Sequence, residues 1–303
     1  MLEMESLLQT DLWGRFKESF GWRAGRYGGF LGLERSLPFG KSLLYFPEVP
    51  FTKALIRTKR RPSVPQESGR IFVRLDILAP WTPEKARALL NEGWIKAFEE
   101  VQPEYRQWVD LTGGEAAMLA AMKPKGRYNI RLAQKHGLKV ETGLTADSIQ
   151  VLFTLYNATA KRTNFSGRSQ AYFESLGTIL KDNNCGEIIL VKKGDRPLAG
   201  ALLSFYGGVC SYLYGGSSNE HRELMAPYLA HFEAMKLAQK RGCGLYDLLA
   251  IAPPGMSGHP YQGLTRFKTQ FGGESVRLLG SWDLVHDKFW YTIYRIIESR
   301  RRH

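Results

Sequence analysis

Residues 186–218, GEIILVKKGDRPLAGALLSFYGGVCSYLYGGSS, decide how this chain is read. Apolar, β-prone runs broken by GDRP spell a meander of three antiparallel strands. Working outward, 146–164 and 169–183 have helical periodicity and precede it, while 226–242 forms a helix after it. Then come a strand over 244–251, a short helix from Gly263 to Gly273, and a strand over 275–285. The second half therefore reads helix, helix, three antiparallel strands, helix, strand, helix, strand.

The first half is a looser version of the same order. Residues 7–20 read as an amphipathic helix with Leu8, Leu12, Phe16 and Phe20 on one face, stopped at Gly21. Strands follow at 42–49, 70–78 and 105–111, with a capped helix at 82–93 carrying Pro in its first turn. Helices at 114–122 and 125–136 lead to LKVETG (138–143), after which the order restarts. The segment 288–302 closes the chain as an amphipathic helix.

A length of 303 residues and 44% hydrophobic content suit one large soluble domain or two of half that size. The net charge of +13 points to polyanionic partners such as nucleic acid, anionic lipid or a phosphorylated substrate. Cys185, Cys210 and Cys243 are odd in number and far apart, which implies free thiols in a reducing compartment. The six histidines show no metal spacing. The N-terminus has no signal-peptide pattern, and no apolar run approaches the ~18–20 residues that span a bilayer. The expectation is a cytoplasmic monomer, free to rest on the inner membrane face.

Residues 259–285, HPYQGLTRFKTQFGGESVRLLGSWDLV, carry the chemistry. Lys268 stands between Phe267 and Phe271, just before Gly272-Gly273. A cation between aromatics suits a groove holding an anionic or polarised group; the competing reading is a core helix whose lysine points to solvent. This stretch resembles the C-terminal signature of the Fem family, the non-ribosomal peptidyltransferases that build peptidoglycan cross-bridges from aminoacyl-tRNA. The element order is that of the Gcn5-type N-acetyltransferase (GNAT) fold, and its twofold occurrence is the Fem architecture. The resemblance implies an α+β protein of two tandem GNAT-like domains, with mixed, mostly antiparallel sheets flanked by helices and no coiled-coil arm. It assigns 1–142 with the C-terminal helix 286–303 to the first domain and 143–285 to the second. It also packs the last helix onto the first domain through Phe289, Ile293, Ile296 and Ile297.

The family's site residues map onto matching positions here. Phe267 and Lys268 fall where the tRNA acceptor end meets the reacting ester. There an ammonium stabilises the tetrahedral oxyanion or protonates the leaving ribose oxygen, and a ring stacks on the terminal adenosine. An ester is already activated, so positioning replaces a covalent nucleophile. Arg168, Tyr172 and Tyr214 fall at the nucleotide-linked muramyl peptide, where Arg forks a diphosphate; both tyrosines also read as core aromatics. Lys17, or else Arg15, in LWGRFK would add a phosphate contact. Asp76 would orient the substrate amine or take its proton, and it reads equally as a turn residue. Arg127, Arg131 and Lys135 lie on one face of the 125–136 helix and would contact RNA phosphates. The loop Arg57–Arg61 and the tail Arg300–Arg302 could serve RNA or anionic lipid.

The expected partners are aminoacyl-tRNA as co-substrate, with no further cofactor, and UDP-MurNAc-pentapeptide or lipid II as acceptor. Two rivals stay open: a GNAT-related acyltransferase using acyl-CoA, and a non-catalytic binder of RNA or anionic lipid. QKRGCG (239–244) matches the pyrophosphate pattern of the acyl-CoA enzymes, but it closes a helix, so Gly242 reads more simply as a C-cap.

Overall fold

The computed structural model describes residues 5–57 and 67–301. Residues 58–61 of the basic loop and Arg302 of the tail lie outside the described residues. The first part of the chain forms α1 (Asp11–Glu18), β1 (Arg23–Tyr27), β2 (Phe30–Leu37), β3 (Lys41–Val49), α2 (Lys53–Ile56), β4 (Arg70–Pro80), α3 (Pro83–Asn91) and β5 (Ile95–Lys96). The middle forms β6 (Tyr105–Asp110), α4 (Gly114–Ala121), α5 (Pro124–Lys135), β7 (Lys139–Thr142), α6 (Ala146–Thr163) and α7 (Gln170–Asp182). There follow β8 (Gly186–Lys193), β9 (Arg196–Tyr206), β10 (Val209–Ser217), α8 (Ala226–Lys240), β11 (Leu245–Ala250), α9 (Gln262–Lys268), β12 (Glu274–Val285) and α10 (Lys288–Arg301).

Two compact units result. Unit 1 holds the residues up to Glu104 and those from Arg277 on; unit 2 is Tyr105–Val276. The sheet of unit 1 runs β1-β2-β3-β4-β12, antiparallel except for the parallel pair β3 and β4. The sheet of unit 2 runs β8-β9-β10-β11-β6 with β7 on the edge at β8, antiparallel except for the parallel pair β10 and β11. The two strand orders are the same, so the duplication expected from the sequence is present, in an α+β fold with mostly antiparallel sheets.

The final strand of each repeat is exchanged. β6, from the first half of the sequence, completes unit 2 beside β11, and β12, from the second half, completes unit 1 beside β4. The compact units therefore divide at 104/105 and 276/277, not at 142/143 and 285/286. Helical periodicity places α4 and α5 correctly but does not say which sheet they cover. α5 packs on α8, and Ile130 and Ala133 enter the unit 2 core with Phe232, Met235 and Phe271.

Local chemistry sets the element ends. Thr10 caps α1 and breaks the expected 7–20 helix there, leaving a short 3-10 turn before it. Thr145 and Ser148 form a capping box on α6, and Ser169 caps α7 through the Tyr172 N–H at 3.3 Å. Gly242 has φ +80°, with Cys243 N donating to Ala238 O at 2.9 Å, so QKRGCG is a helix C-terminus as read. β1 and β2 had no counterpart in the sequence reading; they form a hairpin over Gly28-Gly29. The three cysteines are free and buried. Among the described residues, no helix is long and apolar enough to cross a membrane.

The last helix packs on unit 1, but not through the side chains expected. Phe289, Ile296 and Ile297 are exposed, and of the four only Ile293 is half-buried. Tyr291 and Tyr294 face inward instead, stacking on Phe72 and Phe98. Tyr291 Oη donates to Asp283 Oδ2 at 2.6 Å, and Tyr294 Oη to Glu99 Oε1 at 3.2 Å. Arg74, buried beneath, forks onto Asp283 through Nε and Nη2, each at 2.7 Å, and also bonds Glu99. The sequence shows a helix apolar on two sides, and the inner side is fixed by polar groups that periodicity does not weigh.

Candidate active site

The parallel pairs of the two units differ. In unit 1 the pairing of β3 and β4 continues from Ser42/Arg70 to Val49/Ile77. In unit 2, β10 and β11 pair only at Val209/Leu245, Cys210/Tyr246 and Ser211/Asp247. Each strand bulges at the level where pairing stops. β10 shifts register on β9 between Tyr212 and Tyr214, and β11 shifts on β6 between Asp247 and Ala250. Leu249, at φ +56°, makes the second bulge, held by its N–H on Asp247 Oδ1 at 2.7 Å. Bulges add local twist and end pairing, so the two strands part here.

Lys268 fills the parting. It closes α9, is 3% exposed, and donates from Nζ to Ala250 O at 2.7 Å. Ala250 is the residue at which β11 leaves its register, so the bulge sets the direction of that carbonyl. A lysine ammonium has three donors, and Ala250 takes one. Thr265 Oγ1 accepts the Ala252 N–H at 2.7 Å, tying α9 to the end of β11. The surroundings are aromatic. Nζ lies 5.8 Å from the centroid of Tyr212. Phe267 is half-buried, edge-on to Tyr228 at 5.0 Å and to His231 at 5.3 Å. Lys268 does not point to solvent.

Burial lowers the pKa of Lys268 to about 7; Asp247 opposes this and Arg106 adds to it. Asp247 and Arg106 are themselves a buried ion pair at 2.9 Å. His231, on α8, is buried among the same rings and shares a 2.8 Å hydrogen bond with Tyr246 Oη. Burial, then the nearby Lys268 charge, lowers its pKa to about 3, so it is neutral at physiological pH. An amine titrating near 7 can donate a proton or act as a cation within one cycle. In a dry, aromatic surround its field on a developing oxyanion is much stronger than in water.

The glycine pair after α9 is required by contact as well as by conformation. Gly272 and Gly273 have φ of +79° and +73°. A Cβ on Gly273 would lie 1.9 Å from Trp108 O, and one on Gly272 2.4 Å from Ala121 O. The buried Gln107 holds the turn, donating to Gly272 O at 2.6 Å and accepting from Ser275 Oγ at 2.7 Å. Gly273→Ala is expected to cost roughly 3 kcal/mol or more, read as a lower denaturant midpoint with unchanged m-value.

Arg168, Tyr172 and Tyr214 come together on the other side of β10. The Arg168 guanidinium lies 5.2 Å from the Tyr172 ring, and Tyr214 Oη donates to Tyr172 Oη at 3.2 Å. Tyr156 joins them, accepting the Arg168 N–H at 3.0 Å and packing edge-on to Tyr214 at 6.0 Å. In a regular strand, Tyr212 and Tyr214 would share a face. The bulge between them shifts the alternation, so Tyr212 faces Lys268 and His231 while Tyr214 faces Arg168. Tyr172 is a buried aromatic whose hydroxyl accepts from Tyr214 beside the Arg168 guanidinium.

In unit 1, Lys17 lies 5.3 Å from the Trp22 ring, Trp22 lies 6.2 Å from Tyr45, and Tyr45 Oη donates to Asp76. Ser281 Oγ donates to the other Asp76 oxygen. Asp76 is buried within β4, not set at a strand end, and burial raises it to about 6. Arg15 is exposed on α1. Along α5, Arg131 and Lys135 are exposed, whereas Arg127 is half-buried and bonds the Met122 carbonyl at the end of α4. The ridge read from the spacing is thus Arg131 and Lys135.

The sequence reading missed Asp247, Arg106, His231, Tyr212 and Tyr156. Asp247 had a signal, as a lone charge inside the apolar run LYDLL. The others reach the site only through strand pairing and helix packing. Among the described residues no cluster could hold a metal ion.

A FemAB family model matches residues 91–192 and 180–299. The lipid II:glycine glycyltransferase of Staphylococcus epidermidis is 22% identical, with 97% of this chain and 91% of that protein aligned. The Staphylococcus aureus protein of the same name is 21% identical over 97% and 90%. The crystal structure of FemX superposes with a TM-score of 0.78 at 20% identity, covering 96% of this chain and 94% of that one.

Proposed function

The chain belongs to the FemAB family, and from that premise we propose that it is an aminoacyltransferase of peptidoglycan bridge assembly, taking its amino acid from aminoacyl-tRNA. The acceptor amine attacks the ester carbonyl, a tetrahedral oxyanion forms, and the ribose 3′-oxygen leaves with a proton as the new amide forms. Lys268 stabilises the oxyanion, supplies that proton and is recharged by the proton that the attacking nitrogen loses; Phe267 stacks on the terminal adenosine. Arg168, with Tyr172 and Tyr214, takes the diphosphate of the acceptor. Lys17 and Asp76 are assigned to the acceptor peptide, and Arg131 and Lys135 to tRNA phosphates. The lipid-linked precursor is the preferred acceptor, because the curated relatives are named for lipid II.

The observation that carries this reading is the buried Lys268 ammonium in the parting of β10 and β11, bonded to Ala250 O at 2.7 Å. Acyl-CoA is disfavoured as donor, since its candidate pyrophosphate motif is a helix C-terminus.

The test is transfer of radiolabelled amino acid from a mixed aminoacyl-tRNA pool to lipid II and to UDP-MurNAc-pentapeptide. Label on lipid II that disappears when tRNA is digested is the expected result. No label on either acceptor, together with tight CoA binding, would sink the proposal. Arg168→Ala is expected to raise KM for the acceptor about 10- to 100-fold with kcat nearly unchanged. Steady-state kinetics over acceptor concentration check this.

A further inference from the structure

Helix α10 has a second apolar face. Opposite the inward Tyr291 and Tyr294, the spacing i, i+4, i+7, i+8 sets Phe289, Ile293, Ile296 and Ile297 on one side. Phe289 is 69% exposed, Ile296 48% and Ile297 52%. Aromatic contacts extend this stripe beyond the helix. Phe289 packs edge-on to Trp290 at 5.8 Å, and Trp290 stacks with Phe39 at 5.4 Å. Phe39 is at the tip between β2 and β3 and is 81% exposed.

Two features set this patch apart from scattered surface apolars. Phe39 has φ +63°, a conformation that bulky L-residues rarely adopt. Strain of that kind persists where the surroundings enforce it, and here it holds a phenyl ring in solvent against Trp290. The rim is also basic. Lys41 Nζ lies 5.3 Å from the Trp290 ring and pairs with Asp287 at 3.1 Å. Arg295 and Arg300 are exposed on α10, and by period Arg300 belongs to the outer stripe. Glu298, the one acidic residue of the helix, falls by period on the inner side.

Aromatic and branched aliphatic side chains edged by cations are the composition of a helix lying in a membrane interface, with Trp at headgroup level. The cations and the +13 net charge suit an anionic surface. We propose that the outer face of α10 and the β2–β3 tip form a docking surface for an anionic phospholipid membrane. The proposal stands apart from the transfer chemistry, which uses other residues.

The test is co-sedimentation of the full-length protein with vesicles of phosphatidylcholine alone or mixed with phosphatidylglycerol. The protein is expected to sediment with the mixed vesicles. The variant Phe39→Ser/Phe289→Ser/Ile296→Ser should partition roughly tenfold more weakly or worse, at an unchanged melting temperature. Ile297→Trp, which keeps the patch, should partition a few-fold more tightly. Three results would overturn the idea. These are no binding of the parent, parental binding by the triple variant (basic charge acting alone), and no gain from Ile297→Trp. A parent that sediments as a dimer and a triple variant that sediments as a monomer would instead assign the face to a second copy of the chain.

Discussion

Lys268→Met is expected to yield a protein more stable than the parent and nearly inactive. The parent buries an amine that prefers to be charged, and lowering it from its ordinary value of 10.5 to about 7 costs folding free energy. Methionine fills a similar volume without that penalty, so a gain of ~1–3 kcal/mol at neutral pH is expected. The sign with pH follows from proton counting. Between pH 7 and 10.5 the unfolded parent holds a proton on Lys268 that the folded parent has released. Parental stability therefore rises across that window. The advantage of the Met variant is largest below pH 7 and shrinks toward pH 10.5. Transfer, by contrast, should fall ~10²–10³-fold, the usual effect of removing a group that meets the oxyanion. In the parent, kcat/KM should decline as pH rises through about 7, where the ammonium is lost. A residual rate in the variant should lack that limb. Denaturant titration at several pH values, run beside the labelled transfer assay, checks both halves. Full activity in a stabilised Lys268→Met protein would remove Lys268 from the chemistry.

Arg74→Met should have the largest effect on stability. Arg74 and Asp283 are 3% and 0% exposed on their side chains, and Glu99 is 5% exposed. Removing the guanidinium leaves two buried carboxylates uncompensated, at a cost of ~3–5 kcal/mol. The damage should centre on α10, because Asp283 and Glu99 also receive Tyr291 and Tyr294. Hydrogen exchange should show 288–301 opening ahead of the rest. Arg74→Met/Asp283→Leu should recover much of the loss, because the second change removes one stranded charge. A double variant no better than Arg74→Met would show that the guanidinium's packing on Phe72 and Phe98, 5.1 and 5.6 Å away, matters more than its charge.

The strand meander, the helices and the duplication were legible because each is a local pattern. The hairpin over Gly28-Gly29 was not, since its first strand, RAGRY, is short, basic and poor in β-branched residues. The final helix was found, and its inner face misassigned, because Phe289 and Tyr291 are equally apolar by period while only Tyr291 has a hydroxyl that reaches Asp283. Phe267 and Lys268 were found by motif. What surrounds Lys268 was not visible: Tyr212, His231 and the Asp247–Arg106 pair come from four separate elements and meet only on folding, where burial lowers the amine and Asp247 partly opposes it. The bulge that turns Tyr212 and Tyr214 to opposite faces leaves no mark in SYLYGG beyond its glycines.

The exchange of β6 and β12 bears on how the molecule is made. The partner of β4 on that edge of the unit 1 sheet is synthesised after every residue of unit 2. A chain emerging from the ribosome can close its inner unit first, while the outer one waits with an unpaired edge for its last few dozen residues. The same exchange means that cutting the chain at its midpoint does not give two self-sufficient halves. Each fragment would lack the strand that seals it and would carry one that belongs to the other.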